Sequence, residues 1–537
     1  MSDARLLDNL ALAAHAINSL TTLGTRTFCI CPGARNSPLV ETLVRMRDDT
    51  AKSSDLELLY FYDERSAAFF ALGRARLENR ACAVVTTSGT AVGELLPATM
   101  EAHYTDVPLM LVTADRPKRF RGSGAPQACE QKGIFGIYAR ELGDWDLHTY
   151  APLHDSILGP AHLNLCFEEP LPDNSGSVTA SAKTVGDLPT PPASRSEFEA
   201  FVAGLKNPLV ILGALTPQEA RAAIPFLVRL GAPVITEATS QLREAPDLDH
   251  LRIRTHSRAL SRATESGYPI DGVIRLGGVP TLRLWRDLEV KFQLPVFSVS
   301  GTGFSGLPGS RALKTSLVSF FSEGCGSQVS AAKFNRWCSE DRKRYDALHA
   351  LLHEEAVSEP GWFHCISQAI QKNSLVYLGN SLPIREWDLG AIPMSRGIEI
   401  QASRGLNGID GQVSTFLGMT SPGRSHWAII GDLTALYDLS GPWIAGQLTQ
   451  TQGDTDWKII VINNGGGKIF DRIFSRPEYL NSHDFELEAW ARLWRLPYER
   501  FTEASAEKLG ASQARIIEIR PDAESTTRFW KNAQEYL

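Results

Sequence analysis

A chain of 537 residues is too long for one hydrophobic core, so two to four domains are expected. Its 43% hydrophobic and 21% charged residues match a soluble globular protein. A formal charge of −7 without any basic block argues against nucleic acid as a partner, and no apolar run reaches the ~18 residues that a membrane span needs.

The N-terminal MSDARLLDNLALAAHAINSL has an amphipathic helical pattern. It lacks the basic start and cleavage site of a signal peptide, so a cytoplasmic location is expected. Apolar, strand-like runs then alternate with helical patterns. TRTFCICPG, LELLYFYDE, RACAVVTTSG, VPLMLVTADRP and GPAHLNLCFEEPL are the strands, with TAVGELLPATMEAHYTD among the helices between them. Such alternation predicts a parallel sheet covered by helices. At the end of LELLYFYDE, Glu64 stands at a strand-to-helix junction, where a carboxylate favours the helix N-terminus. Cys29 and Cys31 form the only close cysteine pair and behave as buried small hydrophobes. No C-x-x-C pair exists, so neither a zinc site nor a disulfide framework is expected.

Residues 172–197 are rich in Pro, Ser, Thr and Gly and form the clearest linker. Alternation resumes with NPLVILGAL, APVITEATS, YPIDGVIRLGG and LPVFSVSGTG. The polar helical stretch SQVSAAKFNRWCSEDRKRYDALHALLHEEA follows as a connecting helix or helix pair, and a third block holds NSLVYLGNS, HWAIIGDLTALYDLS, WKIIVINNGG and QARIIEIR. The expected fold is therefore α/β, with three doubly wound parallel-sheet domains at 1–185, 198–345 and 356–537.

Two Gly-rich stretches fail their context tests. GTGFSG at 301–306 fits G-x-G-x-x-G, but Pro308 and Gly309 follow where a dinucleotide-binding helix should open. NNGGGKIF has Ile469 where a P-loop needs Ser or Thr on magnesium. A third pattern is more informative. The run WAII ends in Gly431-Asp432, and thirty-two residues beyond Asp432 the run WKIIVI has ended in Asn463-Asn464-Gly465-Gly466. A carboxylate and an amide oxygen at neighbouring strand ends suit a hard cation that shares phosphate ligands. Glycines let the backbone approach both. Two strand ends capped by turn residues remain the plainer alternative.

Several blocks together resemble one family of thiamine-diphosphate enzymes, the 2-succinyl-5-enolpyruvyl-6-hydroxy-3-cyclohexene-1-carboxylate synthases of the MenD type. They are CPGARNSPL, DERSAAFFALG, VTTSGTAVGELLPATMEA, TADRPKRFRGSGAPQ, GPAHLNLCFEEPL, GNSLPIREWD, SRGLNGIDGQVST, GDLTALYDL and NNGGGKIFD. They cover the first and third domains in order, while the middle domain matches only through EATSQ and GGVPTLR.

The resemblance implies a thiamine-diphosphate-binding fold, with a pyrimidine-binding first domain and a diphosphate-binding third domain. The cofactor would lie between two protomers of a homodimer or homotetramer. It implies magnesium, or manganese in its place, on Asp432, Asn464 and the Gly466 carbonyl. Gly431, Leu433, Ile469 and Phe470 would complete the cofactor site, with Ile409 as its apolar prop. Glu64 would be the catalytic carboxyl that exchanges a proton with the pyrimidine ring, a role suited to a buried group of raised pKa.

The implied substrates are 2-oxoglutarate and isochorismate. Their carboxylates suit the guanidinium groups of Arg35, Arg116, Arg385 and Arg404, with Gln127 and Ser381 as polar neighbours and Arg283 in the middle domain. Departures from the family pattern are Ala34 for Ser, Leu433 for Gly or another small residue, Gly465 for Asn, and a longer Asp432–Asn464 interval carrying GDTD. Two alternatives stay open: a thiamine-diphosphate carboligase with another acceptor, and an inert binding protein of this fold.

Overall fold

The computed structural model describes residues 2–49, 55–123, 127–153, 156–169, 171, 195–280, 282–288, 294–307, 310–324, 326, 328–453, 455–471, 478 and 480–537. Most of the expected linker at 172–197 lies outside them. By internal contacts the chain divides into two compact units. The first holds residues 1–189, 410–423 and 436–455, and the second holds 190–409, 424–435 and 456–537.

Unit 1 is built on a six-stranded parallel sheet. Its strands are β1 (Thr27–Ile30), β2 (Glu57–Tyr60), β3 (Cys82–Thr86), β4 (Leu109–Asp115), β5 (Arg140–Trp145) and β6 (Ala161–Cys166), in the order β2-β1-β3-β4-β6-β5. Strands β1, β3, β4 and β6 are buried along their whole length. Both faces of a parallel sheet are covered by its crossover helices, which is why these strands are continuous apolar runs.

One helix of unit 1 sets the packing. Glu64–Glu78 buries ten consecutive residues from Ser66 to Ala75, and it meets the helix Gln412–Gly418 at van der Waals distance. A Cβ on Gly73 would stand 2.0 Å from the Thr415 carbonyl oxygen, and one on Gly418 would stand 2.2 Å from that of Phe70. The two helices can approach so closely only because each offers a glycine to the other's backbone.

Unit 2 holds two sheets. The five-stranded one comprises β7 (Pro208–Leu212), β8 (Val234–Thr236), β9 (Gly272–Leu276), β10 (Val296–Ser300) and β11 (Arg311–Lys314), in the order β11-β10-β9-β7-β8. The six-stranded one comprises β12 (Leu375–Leu378), β13 (Glu399–Gln401), β14 (His426–Gly431), β15 (Trp457–Ile462), β16 (Tyr498–Phe501) and β17 (Ile516–Ile519). Its order, β13-β12-β14-β15-β17-β16, repeats that of the sheet in unit 1. The polar stretch before β12 is the expected long helix, Asn335–Glu354.

The strands anticipated from apolar runs are all present. Those without such a run, β5, β11, β13 and β16, are all edge strands. RELGDW, RALK, EIQ and YERF each expose or half-expose most of their residues. An edge strand needs polar side chains against unwanted pairing, which erases its hydrophobic signature. Within GTGFSG the Phe304 carbonyl accepts from the buried Arg275 guanidinium. Among the described residues no helix is long and apolar enough to cross a membrane.

The glycine crossing is testable. Gly73→Ala should destabilise the protein by about 1–3 kcal/mol, the usual cost of overpacking. Gly93→Ala, whose Cβ would meet nothing within 4 Å, should unfold at the wild-type midpoint. Thermal denaturation of both variants checks the difference.

Candidate active site

In the order of the third sheet the chain runs from β12 outward to β13, then returns to the far side of β12 with β14. Loops leaving the carboxyl ends of β12 and β14 therefore diverge, and a crevice opens between them, the general ligand site of such sheets. A cavity of about 390 Å³ lies there, within unit 2, and is of ligand-binding size. Its lining includes Ser381, Arg385, Arg404, Ile409, Gly431, Asp432, Leu433, Asn464, Gly466 and Ile469. Ten of the residues singled out from sequence thus surround one space. Phe470 follows in the same turn, its side chain outside the described set.

Asp432 is the structural hinge of this pocket. It is 2% exposed. Its Oδ1 accepts from Leu433 N at 2.7 Å, and its Oδ2 accepts from Gly465 N and Gly466 N, each at 2.9 Å. His483 Nε2 lies 3.2 Å from the same oxygen. Burial raises the Asp432 pKa, opposed by those backbone donors and by His483. Gly466 has φ 140°, and a Cβ there would lie 2.5 Å from the Leu480 carbonyl oxygen, so no larger residue fits without movement.

The two asparagines diverge. Asn463 donates to Glu518 at 2.8 Å, away from the cavity lining. Asn464 faces the cavity and donates through Nδ2 to both carboxylate oxygens of Glu359, at 3.0 Å each. Its Oδ1 is buried without a hydrogen-bond partner. An orphaned amide oxygen beside a buried carboxylate fits a hard cation. Among the described residues no group of three His, Cys, Asp or Glu side chains is arranged for a metal. The candidate donors here are instead one carboxylate, one amide oxygen and the Gly466 carbonyl, which also accepts from Lys468 N at 2.9 Å.

The lining that follows β12 and β13 carries two arginines, Arg385 and Arg404. Ser381 has φ 73°, a strained value for a residue with a side chain, at the start of the helix Leu382–Gly390. Arg385, in the next turn, donates to the Ser381 carbonyl. Arg404 donates to Asn380 Oδ1, while Asn380 Nδ2 donates to Ser403 O at 2.8 Å and Gly408 O at 2.7 Å. Asn380 thereby fixes the loop that carries Arg404 and Ile409. Motif reading did not single out Asn380, although it adjoins Ser381. Nor did it single out Asn407 or Lys468, although both lie within the quoted blocks SRGLNGIDGQVST and NNGGGKIFD, or Glu359 and His483, which lie outside every such block.

The remaining candidates lie elsewhere. In unit 1 the order reverses between β1 and β3, and the loops after them meet: a Cβ on Gly33 would stand 2.6 Å from that of Thr87, and one on Gly89 would stand 3.3 Å from Gln127 Cα. Gln127 is exposed with φ 57°. Arg35 is 6% exposed and donates to Glu169 at 2.7 Å and Phe167 O at 3.3 Å. Arg116 lies over the Phe120 ring. Arg283 in unit 2 is largely solvated and 3.8 Å from Asp287, outside the cavity lining.

Glu64 opens the helix Glu64–Glu78, but the cap is Asp63, which accepts from Ser66 N at 3.1 Å. Glu64 is thus spared the capping task. Its pKa is raised, first by burial and then by the charges of Asp63 and Glu94, against its own backbone N–H.

Comparison with known proteins gives the class: the chain is a thiamine-diphosphate-dependent enzyme. Residues 11–134 match the family model of the thiamine pyrophosphate enzyme N-terminal TPP binding domain. A solved structure assigned as a thiamin diphosphate-dependent enzyme from Mycobacterium smegmatis shares the fold. Its TM-score is 0.65 at 14% identity, over 95% of this chain and 99% of that one.

Closer similarity is to 2-succinyl-5-enolpyruvyl-6-hydroxy-3-cyclohexene-1-carboxylate synthases. That of Bdellovibrio bacteriovorus is 42% identical over 98% of both chains, and that of Akkermansia muciniphila is 37% identical over 94% of both. The chain belongs to this synthase family.

Asp432→Ala would strip the acceptor from two glycine N–H groups. It should weaken magnesium-dependent binding of thiamine diphosphate by at least about tenfold, roughly 1.4 kcal/mol. Calorimetric titration measures this, and wild-type binding would remove Asp432 from the cation site.

Proposed function

We propose that the chain catalyses the reaction for which its relatives are named. It would decarboxylate 2-oxoglutarate and join the resulting succinyl unit to isochorismate, on the route to menaquinone or phylloquinone. The observation that carries this reading is one cavity holding hard oxygen donors on one side and two guanidinium groups on the other. Both substrates are dicarboxylates, and Arg suits bidentate carboxylate binding.

In this reading residues 356–537 form the diphosphate-binding domain. Asp432, Asn464 and the Gly466 carbonyl would hold magnesium, and Ile409, Leu433 and Ile469 would be apolar contacts of the cofactor. Residues 1–185 form the pyrimidine-binding domain, and residues 198–345 the central one. Thiamine diphosphate, when bound, supplies the carbanion chemistry.

Glu64 would hold a proton on its carboxyl for exchange with the cofactor, a task that its raised pKa supports. Arg385 and Arg404 orient substrate carboxylates, with Ser381 beside them. Arg35, Arg116 and Gln127 serve the same substrates from unit 1. The active form would be a homodimer or larger assembly, with Glu64 of one protomer serving a cofactor that another protomer would hold.

The test combines purified protein, thiamine diphosphate, magnesium and 2-oxoglutarate, with and without isochorismate. Carbon dioxide release and an isochorismate-dependent product are expected. Absence of that product, or equal coupling to a simple aldehyde acceptor, overturns the assignment. Glu64→Gln should lower turnover at least about 100-fold, the scale of lost acid–base catalysis, while cofactor binding persists. Turnover at the wild-type rate would exclude Glu64 from the mechanism.

A further inference from the structure

The amide of Asn464 has two ends of nearly equal shape and opposite polarity. Only the oxygen end can ligate a hard cation. Something must therefore decide which end faces the cavity. We propose that Glu359 is the positioning residue that makes this choice, an inference that rests on the cation reading of the pocket given above.

The geometry is specific. Both Glu359 carboxylate oxygens lie 3.0 Å from Asn464 Nδ2, while Asn464 Oδ1 is buried and unpartnered. Rotating the amide by half a turn would set Oδ1 against two acceptor oxygens and point an N–H pair at the cation. The carboxylate excludes that orientation by repulsion. It thus presents the oxygen before any ligand arrives.

Glu359 is itself held rigidly. It is 4% exposed and occupies the first turn of the helix Glu359–Ala369. The Ser358 side chain caps that helix by accepting from Gly361 N at 3.0 Å, and Glu359 N donates to Thr526 Oγ1 at 2.9 Å. A helix N-terminus favours a carboxylate through its exposed N–H groups and dipole. Partners that orient metal ligands in this way are typically worth 10–100-fold in metal affinity.

The experiment titrates magnesium into full-length protein at saturating thiamine diphosphate and follows cofactor uptake by calorimetry. Glu359→Gln keeps the size of the side chain but can donate or accept, so it no longer selects the amide orientation. It should need about 10–100-fold more magnesium for half-saturation, while the metal-free protein unfolds at the wild-type temperature.

In the double variant Glu359→Gln with Asn464→Asp, the Gln amide donates to one Asp oxygen and leaves the other for the cation. This pair should recover most of the lost affinity. Half-saturation of Glu359→Gln at the wild-type concentration overturns the inference. So does a lowered metal-free unfolding temperature with no recovery in the double variant, since both then report a merely structural role. If wild-type protein itself takes up the cofactor without magnesium dependence, the cation reading fails, and this inference with it.

Discussion

One carboxylate joins the ends of two strands. Asp432, leaving β14, takes N–H groups from Gly465 and Gly466 beyond the end of β15 on a single oxygen. Taking this group out of water is costly, and the three backbone donors around it offset that cost. The arrangement requires backbone where side chains would normally stand. Gly465 at φ 81° and Gly466 at φ 140° supply it, the latter against the Leu480 carbonyl. From this fixed point Asn464 is turned toward the cavity and Asn463 away from it. Arg385 and Arg404 line the same space.

The order of the parallel sheet makes the space. Both six-stranded sheets reverse direction after their second strand; in unit 2 the reversal parts two loops at the carboxyl edge, while in unit 1 the corresponding loops meet through Gly33 and Thr87. In unit 2 these loops bear Asn380 and Ser381 on one side and Gly431 and Asp432 on the other. In unit 1 they bear Gly33 and Arg35 on one side and Thr87 to Gly89 on the other. The same topology thus serves two chemistries. One edge collects hard oxygen donors and glycine backbone. The other collects Arg35, hydroxyl groups and, beyond the edge strand β2, the Glu64 carboxyl, whose pKa burial has raised. Arg35 is already engaged, by Glu169.

The inner strands were legible because burial on both faces leaves long apolar runs, as in LMLVTAD and WKIIVI. Edge strands such as YERF and EIQ were not, since solvent on one side permits the polar residues that guard against aggregation. The failed glycine motif at 301–306 was legible for a related reason: Pro308 and Gly309 leave no helix to meet a phosphate. The segments 410–423 and 436–455 group with unit 1, although they follow the start of the third sheet in sequence. Local patterns contain nothing that reports the long-range packing of Gly73 on Thr415.

What the sequence alone determined is the chemistry available: Asp432, Asn464 and Glu64 at strand ends, arginines in the neighbouring turns, and the wording that marks the family. These are local facts, fixed by strand-to-turn transitions and by residue type. Only the tertiary structure decided how each group is used. It gave the helix cap to Asp63 and so released Glu64. It paired Asn464 with Glu359 across 105 residues, and it set Arg283 outside the pocket. Orientation, burial and pairing depend on which distant backbones come into contact. That is settled by the packing of whole sheets and helices, which no short stretch of sequence contains.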